Sequence, residues 1–172
     1  MLSLSDNEFS VISFLVRNFT ERLTIRNIAK RLGFSAAGVF NILKKLEKEN
    51  IVAGQKLGTG LFYSMNFDSK VSRHLAAIVL AYPEEKVPFD IEKLNQAKAA
   101  IFDKNSLLLV TDNVTTLDAA ISNVNVIVKT KDEFIGLLRK KDAEMLQLLR
   151  KGTALFGEDE IVSMIKSCVS GF

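Results

Sequence analysis

The chain has 172 residues, of which 48% are hydrophobic and 25% are charged. This composition is that of a globular protein and excludes a disordered chain, and the length allows one compact domain or two small ones, of which we expect two. The net charge of +3 is uneven, because residues 1–82 hold eleven Lys/Arg against six Asp/Glu (+5) and residues 83–172 hold twelve against fourteen (−2), so the basic surface that a nucleic-acid partner requires falls in the first half.

A single cysteine, Cys168, and a single histidine, His74, limit the chemistry of the chain. One cysteine excludes an internal disulfide framework and a multi-thiolate zinc site, and the two residues are far apart in sequence. The longest apolar stretch, residues 75–82, is much shorter than the ~20 residues that a membrane span needs. We therefore expect a soluble, cytoplasmic protein with no metal, no cofactor and no membrane partner.

The first three predicted elements are amphipathic helices. Apolar residues recur at three- and four-residue spacing over 6–19, which predicts a helix buried on one side. Thr24 opens a second helix that Gly33 terminates, and Ser35 caps a third that ends at Asn50. The short connection between the second and third helices predicts a helix-turn-helix.

Two β-rich runs follow the third helix. They have the sequences IVAGQKL and LFYSMNF around the turn GTG, and they predict a hairpin. With TIRNIAKRLGFS and VFNILKKLEKENIV before it, this order resembles the winged helix-turn-helix of MarR-like and ArsR-like regulators over Asp6 to about Phe67. The resemblance implies a transcriptional regulator that binds double-stranded DNA and places its third helix in the major groove.

The resemblance also implies which residues meet the DNA. At the tip of the third helix, where relatives usually carry Ser, Thr, Gln or Arg, Asn41 alone offers a bidentate partner for adenine, whereas Ala36, Ala37 and Phe40 offer contacts to thymine methyl groups. The GTG turn has no arginine for the minor groove, so we expect weak sequence specificity. The candidate DNA-binding residues are Arg26, Lys30, Arg31, Ser35, Ala36, Ala37, Phe40, Asn41, Lys44, Lys45 and Lys56.

The lysines of the third helix allow a second interpretation. Lys44, Lys45 and Lys48 could form only a solvated helix face paired with Glu47 and Glu49. The winged helix would then be a protein-interaction adaptor, which the apolar tip of the third helix favours. A DNA affinity that does not change with salt would support the adaptor.

A fourth helix is predicted from Asp68 to Tyr82, with apolar residues at Val71, Leu75, Ile78, Val79 and Tyr82. A helix after the wing commonly pairs two subunits in winged-helix regulators, so we expect a homodimer with two recognition helices about one DNA turn apart. Packing of this helix on its own domain is the alternative. His74 lies in this segment, and we expect it at a surface or interface.

The sequence YPEEKVPFD interrupts the periodicity with two prolines and a charge cluster, and it predicts a linker. The domains are therefore 1–82, a linker at 83–90, and 91–172. In the last we expect a helix over 91–100, strands at SLLLVTD and VNVIVKT, a short helix at 115–122, and helices at 131–151 and 158–169. The predicted fold class is α+β, a winged helix followed by a small mixed α/β domain.

The second domain resembles the latter part of a minimal nucleotidyltransferase, which archaeal chains sometimes carry behind a winged helix. The matching segments are NSLLLVTDN and VNVIVKTKDEFIGLLRKKDAEMLQLLRKGTALFGEDEIVSMI. That family needs a Gly-Ser turn for phosphate and an Asp-x-Asp pair for magnesium. Here the turn is missing, Asn105, Ser106 and Leu107 replace the acidic pair, and Asp103 and Asp112 lie at opposite ends of the strand.

We therefore predict that this domain is catalytically inactive and that the protein is not an enzyme. The domain would serve in assembly, in sensing a small-molecule effector or in docking a protein. An unrelated α/β domain and a divergent nucleotidyltransferase with rearranged acids are the alternatives. The chain also lacks a Gly-x-Ser-x-Gly elbow, a Walker loop and a dinucleotide fingerprint.

Overall fold

The computed structural model describes residues 3–83, 86–94, 96–112, 121 and 123–169. The chain divides into two compact units, residues 1–76 and 77–172. In the described part of the chain, no helix combines the length and the apolar character needed to cross a membrane.

The first unit contains the predicted helix-turn-helix and hairpin. Its elements are α1 (Asp6–Arg17), α2 (Ile25–Leu32), α3 (Ala36–Lys48), β1 (Val52–Leu57), β2 (Gly60–Met65) and the first part of α4 (Lys70–Ala81). The three predicted helices, the hairpin and the fourth helix are confirmed in this order.

Local capping explains where these helices begin and end. The Ser5 hydroxyl accepts from the Glu8 N–H while the Glu8 carboxylate accepts from the Ser5 N–H, and Thr24 forms the same reciprocal pair with Asn27 at α2. Ser35 accepts from the Gly38 N–H at the start of α3. Gly33 (φ 71°) takes the left-handed conformation that ends α2. These bonds satisfy backbone groups that a helix end otherwise leaves unpaired.

The hairpin packs against the helices through β2. Its strands are antiparallel, with Gly54 opposite Tyr63 and Lys56 opposite Leu61. The Tyr63 N–H donates to the carbonyl of Leu23 over 2.8 Å, which joins the hairpin to the start of α2. The core of this unit is built from fully buried residues of all three helices and the hairpin, among them Ile12, Leu15, Ile28, Val39, Leu43, Leu46, Ile51 and Tyr63.

The apolar residues of α4 fall on two faces. Leu75 and Val79 are buried within the chain, whereas Val71, Ile78 and Tyr82 are 47%, 54% and 61% exposed. Val71 and Ile78 are seven residues apart and share one face of α4, and Tyr82 follows the last residue of the helix. The predicted stripe is therefore divided between chain packing and solvent.

The second unit is a mixed α/β structure. It contains a short 3-10 helix at Ile91–Leu94 and then β3 (Ala99–Asp103), β4 (Ser106–Thr111), β5 (Asn125–Thr130), α5 (Lys131–Arg139), α6 (Ala143–Lys151), β6 (Thr153–Phe156) and α7 (Glu158–Val169). The strand order is β5-β4-β3-β6. β4 and β5 are parallel, and β3 is antiparallel to both β4 and β6.

Several boundaries differ from the sequence prediction. The predicted strands are confirmed as β4 and β5, and the helix at 158–169 as α7. The predicted helix over 91–100 is wrong, because residues 99–102 enter the sheet as β3, fully buried between its neighbours. The helix at 131–151 is two helices, separated where Lys141 has a φ of 56°. The predicted helix at 115–122 lies outside the described residues, apart from Ile121.

The core of the second unit lies against β3 and β4 and includes part of the predicted linker. Phe102 and Leu107 are buried there, and the rings of Phe89 and Phe102 meet edge to face at 5.4 Å. The Thr153 hydroxyl also donates to the carbonyl of Pro83 over 3.2 Å. Phe89 and Pro83 thus pack with the sheet.

Candidate nucleic-acid interface

The eleven candidate DNA-binding residues are all exposed. They lie on α2, on α3 with its N-cap, and on β1. The N-terminal half of α3 presents a polar and an apolar side chain next to each other, since Asn41 is exposed and Phe40 is 44% exposed. Leu61 on β2 is also exposed, at 39%. The accessible tip of α3 therefore has the mixed character that the sequence predicts.

Three of the candidate cations have partners within the first unit. Arg31 forms an ion pair with Glu21, donates to Asn18 over 2.9 Å, and lies 4.6 Å from the centre of the Phe14 ring. Such a network restricts the guanidinium group, so this arginine supports the contact between α1 and α2 in addition to any role toward DNA.

Lys44 and Lys45 are neighbours in sequence but have different surroundings. Lys44 Nζ lies 2.8 Å from Glu47 Oε2 in an exposed pair on α3. Lys45 Nζ lies 2.7 Å from Glu8 Oε1, whose side chain is only 8% exposed, and donates to the carbonyl of Ser3 over 3.2 Å. Lys44 can therefore bind a phosphate by giving up only a weak surface ion pair. Lys45, in contrast, holds α3 to the start of α1.

The remaining cations of the set are Arg26, Lys30 and Lys56. They are exposed, and none of the ion pairs formed within the described residues involves them. Arg26 and Lys30 lie one turn apart on α2, so they share a face. These side chains can bind phosphate without first breaking an ion pair.

Sequence reasoning missed two residues beside this interface. The sequence does not indicate that Glu8 is the partner of Lys45, because the two side chains meet only when α1 and α3 pack together. The sequence identifies Tyr63 only as part of a β-rich run, yet it is 1% exposed and its hydroxyl has no hydrogen-bond partner.

The electrostatics of α3 follow from these pairs. The hydrogen bond with Glu47, followed by the neighbouring Tyr63, raises the pKa of Lys44. The hydrogen bond from Lys45, followed by the Ser5 N–H, lowers the pKa of Glu8. Both shifts favour the charged form, so Lys44 and Glu8 remain charged at neutral pH.

The second unit contains a separate cavity of about 130 Å³ at the carboxyl end of β4. Two ion pairs line it, Lys98 with Asp112 at 3.3 Å and Lys131 with Glu160 at 3.4 Å. Val110, Thr111 and Met164 complete the lining. Nothing in the described part of the chain groups three or more His, Cys, Asp or Glu side chains as a metal site.

The acids that the sequence analysis considered for magnesium are separated. Asp103 ends β3 opposite Ser106, the first residue of β4, whereas Asp112 follows Thr111, the last. At about 3.4 Å per strand residue they are about 20 Å apart. Asp118, the next acid along the sequence after Asp112, lies outside the described residues.

Comparison with known proteins places the first unit in context. No curated protein matches the chain. Residues 2–58, from just before α1 into the hairpin turn, match the model of the MarR family, which supports a MarR-like winged-helix domain and suggests a DNA-binding transcriptional regulator.

Proposed function

We propose that the protein regulates transcription by binding duplex DNA through α2, α3 and the hairpin. The observation that carries this proposal is the exposure of all eleven candidate residues on one MarR-like domain whose half of the chain has an excess of basic residues. Arg26, Lys30, Lys44 and Lys56 contact phosphates, which supply most of the affinity and its dependence on salt.

Sequence readout is weak in this proposal. The N-terminus of α3 enters the major groove, where Asn41 pairs with adenine and Phe40 contacts a thymine methyl group. The methyl side chains of Ala36 and Ala37 have no hydrogen-bond donor or acceptor for base edges. The protein therefore distinguishes its sites from other DNA by few base contacts.

The exposed face of α4 pairs two copies of the chain. Val71 and Ile78 present apolar surface to solvent on one face of α4, and Tyr82 adds to it just beyond the end of the helix. Burial of that surface against the same surface of a second copy satisfies the two-fold symmetry of most homodimers. The pairing sets two copies of α3 on one operator.

The second unit is a degenerate nucleotidyltransferase-like domain that senses a ligand or assists assembly. Its support is the predicted pair of strands, β4 and β5, together with the separation of Asp103 from Asp112. The cavity at the end of β4 is the place for a small effector. Exposed ion pairs such as Lys98–Asp112 contribute little stability, so a ligand can replace them at small cost.

The adaptor alternative has its own observation, since Phe40 and Leu61 are both large exposed apolar residues of the first unit. Apolar side chains of this size commonly mark a protein contact. DNA binding and protein contact differ in their response to salt, because only phosphate contacts release counterions.

The test is equilibrium binding of the full chain to duplex DNA at several salt concentrations. We expect Lys30→Ala to weaken binding to every sequence and to reduce the salt slope by about 1. Lys140→Ala removes one positive charge from the second unit and should change neither the DNA affinity nor its salt slope. Salt-independent binding would favour the adaptor, and magnesium-dependent nucleotide transfer would favour the divergent enzyme. Lys45 is unsuitable here because it also holds Glu8.

A further inference from the structure

Tyr63 has a buried hydroxyl group with no partner. The residue is 1% exposed, and its Oη is the one buried side-chain oxygen or nitrogen in the described part of the chain that forms no hydrogen bond. Leaving such a group unsatisfied destabilises the folded state, a penalty that phenylalanine at the same position would avoid. The tyrosine therefore lowers the stability of the free protein.

The space beside Tyr63 is kept open by Gly54, its partner across the hairpin. A Cβ atom on Gly54 would lie 2.8 Å from Glu47 Oε1 and 3.2 Å from Tyr63 Cε1. The carboxylate of Glu47 and the edge of the Tyr63 ring thus flank the same point and are at most 6.0 Å apart. Cε1 is bonded to the ring carbon that carries the hydroxyl, so a rotation of the flexible Glu47 side chain is the movement that would bring the two groups together.

In the free protein, Glu47 is engaged elsewhere. Its Oε2 lies 2.8 Å from Lys44 Nζ, and the two side chains are 33% and 51% exposed. Lys44 is also a candidate phosphate contact on the outward face of α3. A lysine that moves to a phosphate leaves the Glu47 carboxylate unpaired beside a negatively charged DNA backbone, which weakens binding through like-charge repulsion.

We propose that Tyr63 is a positioning residue for DNA binding, whose hydroxyl donates to the Glu47 carboxylate when Lys44 leaves it for a DNA phosphate. The new hydrogen bond replaces the lost ion pair and gives the carboxylate a donor when Lys44 no longer supplies one. The proton stays on the tyrosine oxygen, and only hydrogen-bond partners change. This inference rests on the proposed DNA-binding function.

Tyr63→Phe in the full chain tests the inference through two measurements with opposite expected signs. The variant should unfold at a higher urea concentration than wild type, because it removes the unsatisfied hydroxyl. It should bind duplex DNA more weakly at fixed salt, by about 10-fold or more, as expected for loss of one hydrogen bond to a charged group. The salt slope should not change, since no phosphate contact is lost.

The control is to repeat the Tyr63→Phe measurement in a protein that also carries Glu47→Ala. Once the carboxylate is gone, Tyr63→Phe should no longer alter DNA affinity, and the double-mutant cycle should show coupling between the two residues. Equal DNA binding by wild type and Tyr63→Phe, or an equal loss in the Glu47→Ala background, would overturn the inference. So would a loss of stability in Tyr63→Phe, the result for an ordinary structural tyrosine. If wild type binds no DNA, the proposed function fails and this inference fails with it.

Discussion

Lys45 on α3 and Glu8 on α1 form an ion pair, with Nζ and Oε1 2.7 Å apart. Glu8 also accepts from the Ser5 N–H over 2.8 Å, so one carboxylate both caps α1 and holds α3. Lys45 extends the contact to the Ser3 carbonyl. The carboxylate of Glu8 therefore contributes to the placement of α3 against α1.

Glu8→Gln should destabilise the protein at pH 7 by about 1 kcal/mol, because it keeps the side-chain shape and an acceptor oxygen but loses the charge. The pKa of Glu8 is lowered in the folded state from its ordinary value of 4.5, chiefly by the Lys45 hydrogen bond. Its contribution is therefore complete above the unfolded pKa and is lost as the pH falls through the folded pKa. Urea unfolding followed by circular dichroism at several pH values measures this.

The difference in the free energy of unfolding between wild type and Glu8→Gln should shrink as the pH falls below 4.5. Glu49→Gln removes a carboxylate from the exposed end of α3 and should not reproduce this pH dependence. A Glu8→Gln protein with wild-type stability at pH 7 would show that the ion pair contributes nothing.

Gly157 should not tolerate a side chain. It precedes α7 with a φ of 73°, and a Cβ atom there would lie 2.2 Å from the Lys98 carbonyl oxygen. Gly157→Ala should lower the free energy of unfolding by about 2–5 kcal/mol, because the alanine is strained in the left-handed conformation and its Cβ atom overlaps the backbone. Gly136→Ala is the matched control, because nothing lies within 4 Å of its Cβ position and alanine favours a helix interior by about 1 kcal/mol. Thermal unfolding should move in opposite directions for the two, and equal shifts would contradict the prediction.

Ile78→Glu should convert a dimer to a monomer while the fold remains intact. Ile78 is 54% exposed on α4, so a charge there is solvated in the monomer but buried in the proposed interface. Leu75→Glu is a poor test, because Leu75 is buried within the chain and a charge there disrupts folding. Sedimentation at micromolar concentration measures the outcome, with Leu61→Glu on the hairpin as the control. A monomeric wild type would reject the interface.

Local signals were sufficient for much of the first unit. Ser35 as a cap and Gly33 as a stop act within a few residues, so the sequence predicts both the turn and the direction in which α3 exposes Asn41. The partners of those exposed residues depend on packing between distant segments. In the sequence, Lys44 and Lys45 are equivalent candidates for phosphate contact, since both are predicted to be exposed on α3. Only the packing of Glu8 against Lys45 gives the two lysines different roles.

The second unit shows where periodicity fails. Residues 99–102 are apolar without alternation, a pattern shared by buried strands and buried helices. Their burial on both sides of β3 became visible only with β4 and β6 in place. Similarly, the break at Lys141 requires a left-handed residue that is not a glycine, and sequence gives little warning of this.

The last prediction is that the full chain transfers no nucleotide above background in the presence of magnesium. Two-metal phosphoryl transfer needs ions about 3.5–4 Å apart, held by acids that share them. Asp103 and Asp112 flank opposite ends of β4, about 20 Å apart at strand spacing, and Asp112 pairs with Lys98 at 3.3 Å. Transfer of label from a nucleoside triphosphate measures the activity. Robust magnesium-dependent transfer by wild type that disappears in Asp103→Asn, Asp112→Asn or Asp118→Asn would replace the regulator proposal with a divergent enzyme, whereas transfer that survives all three would indicate a contaminating activity.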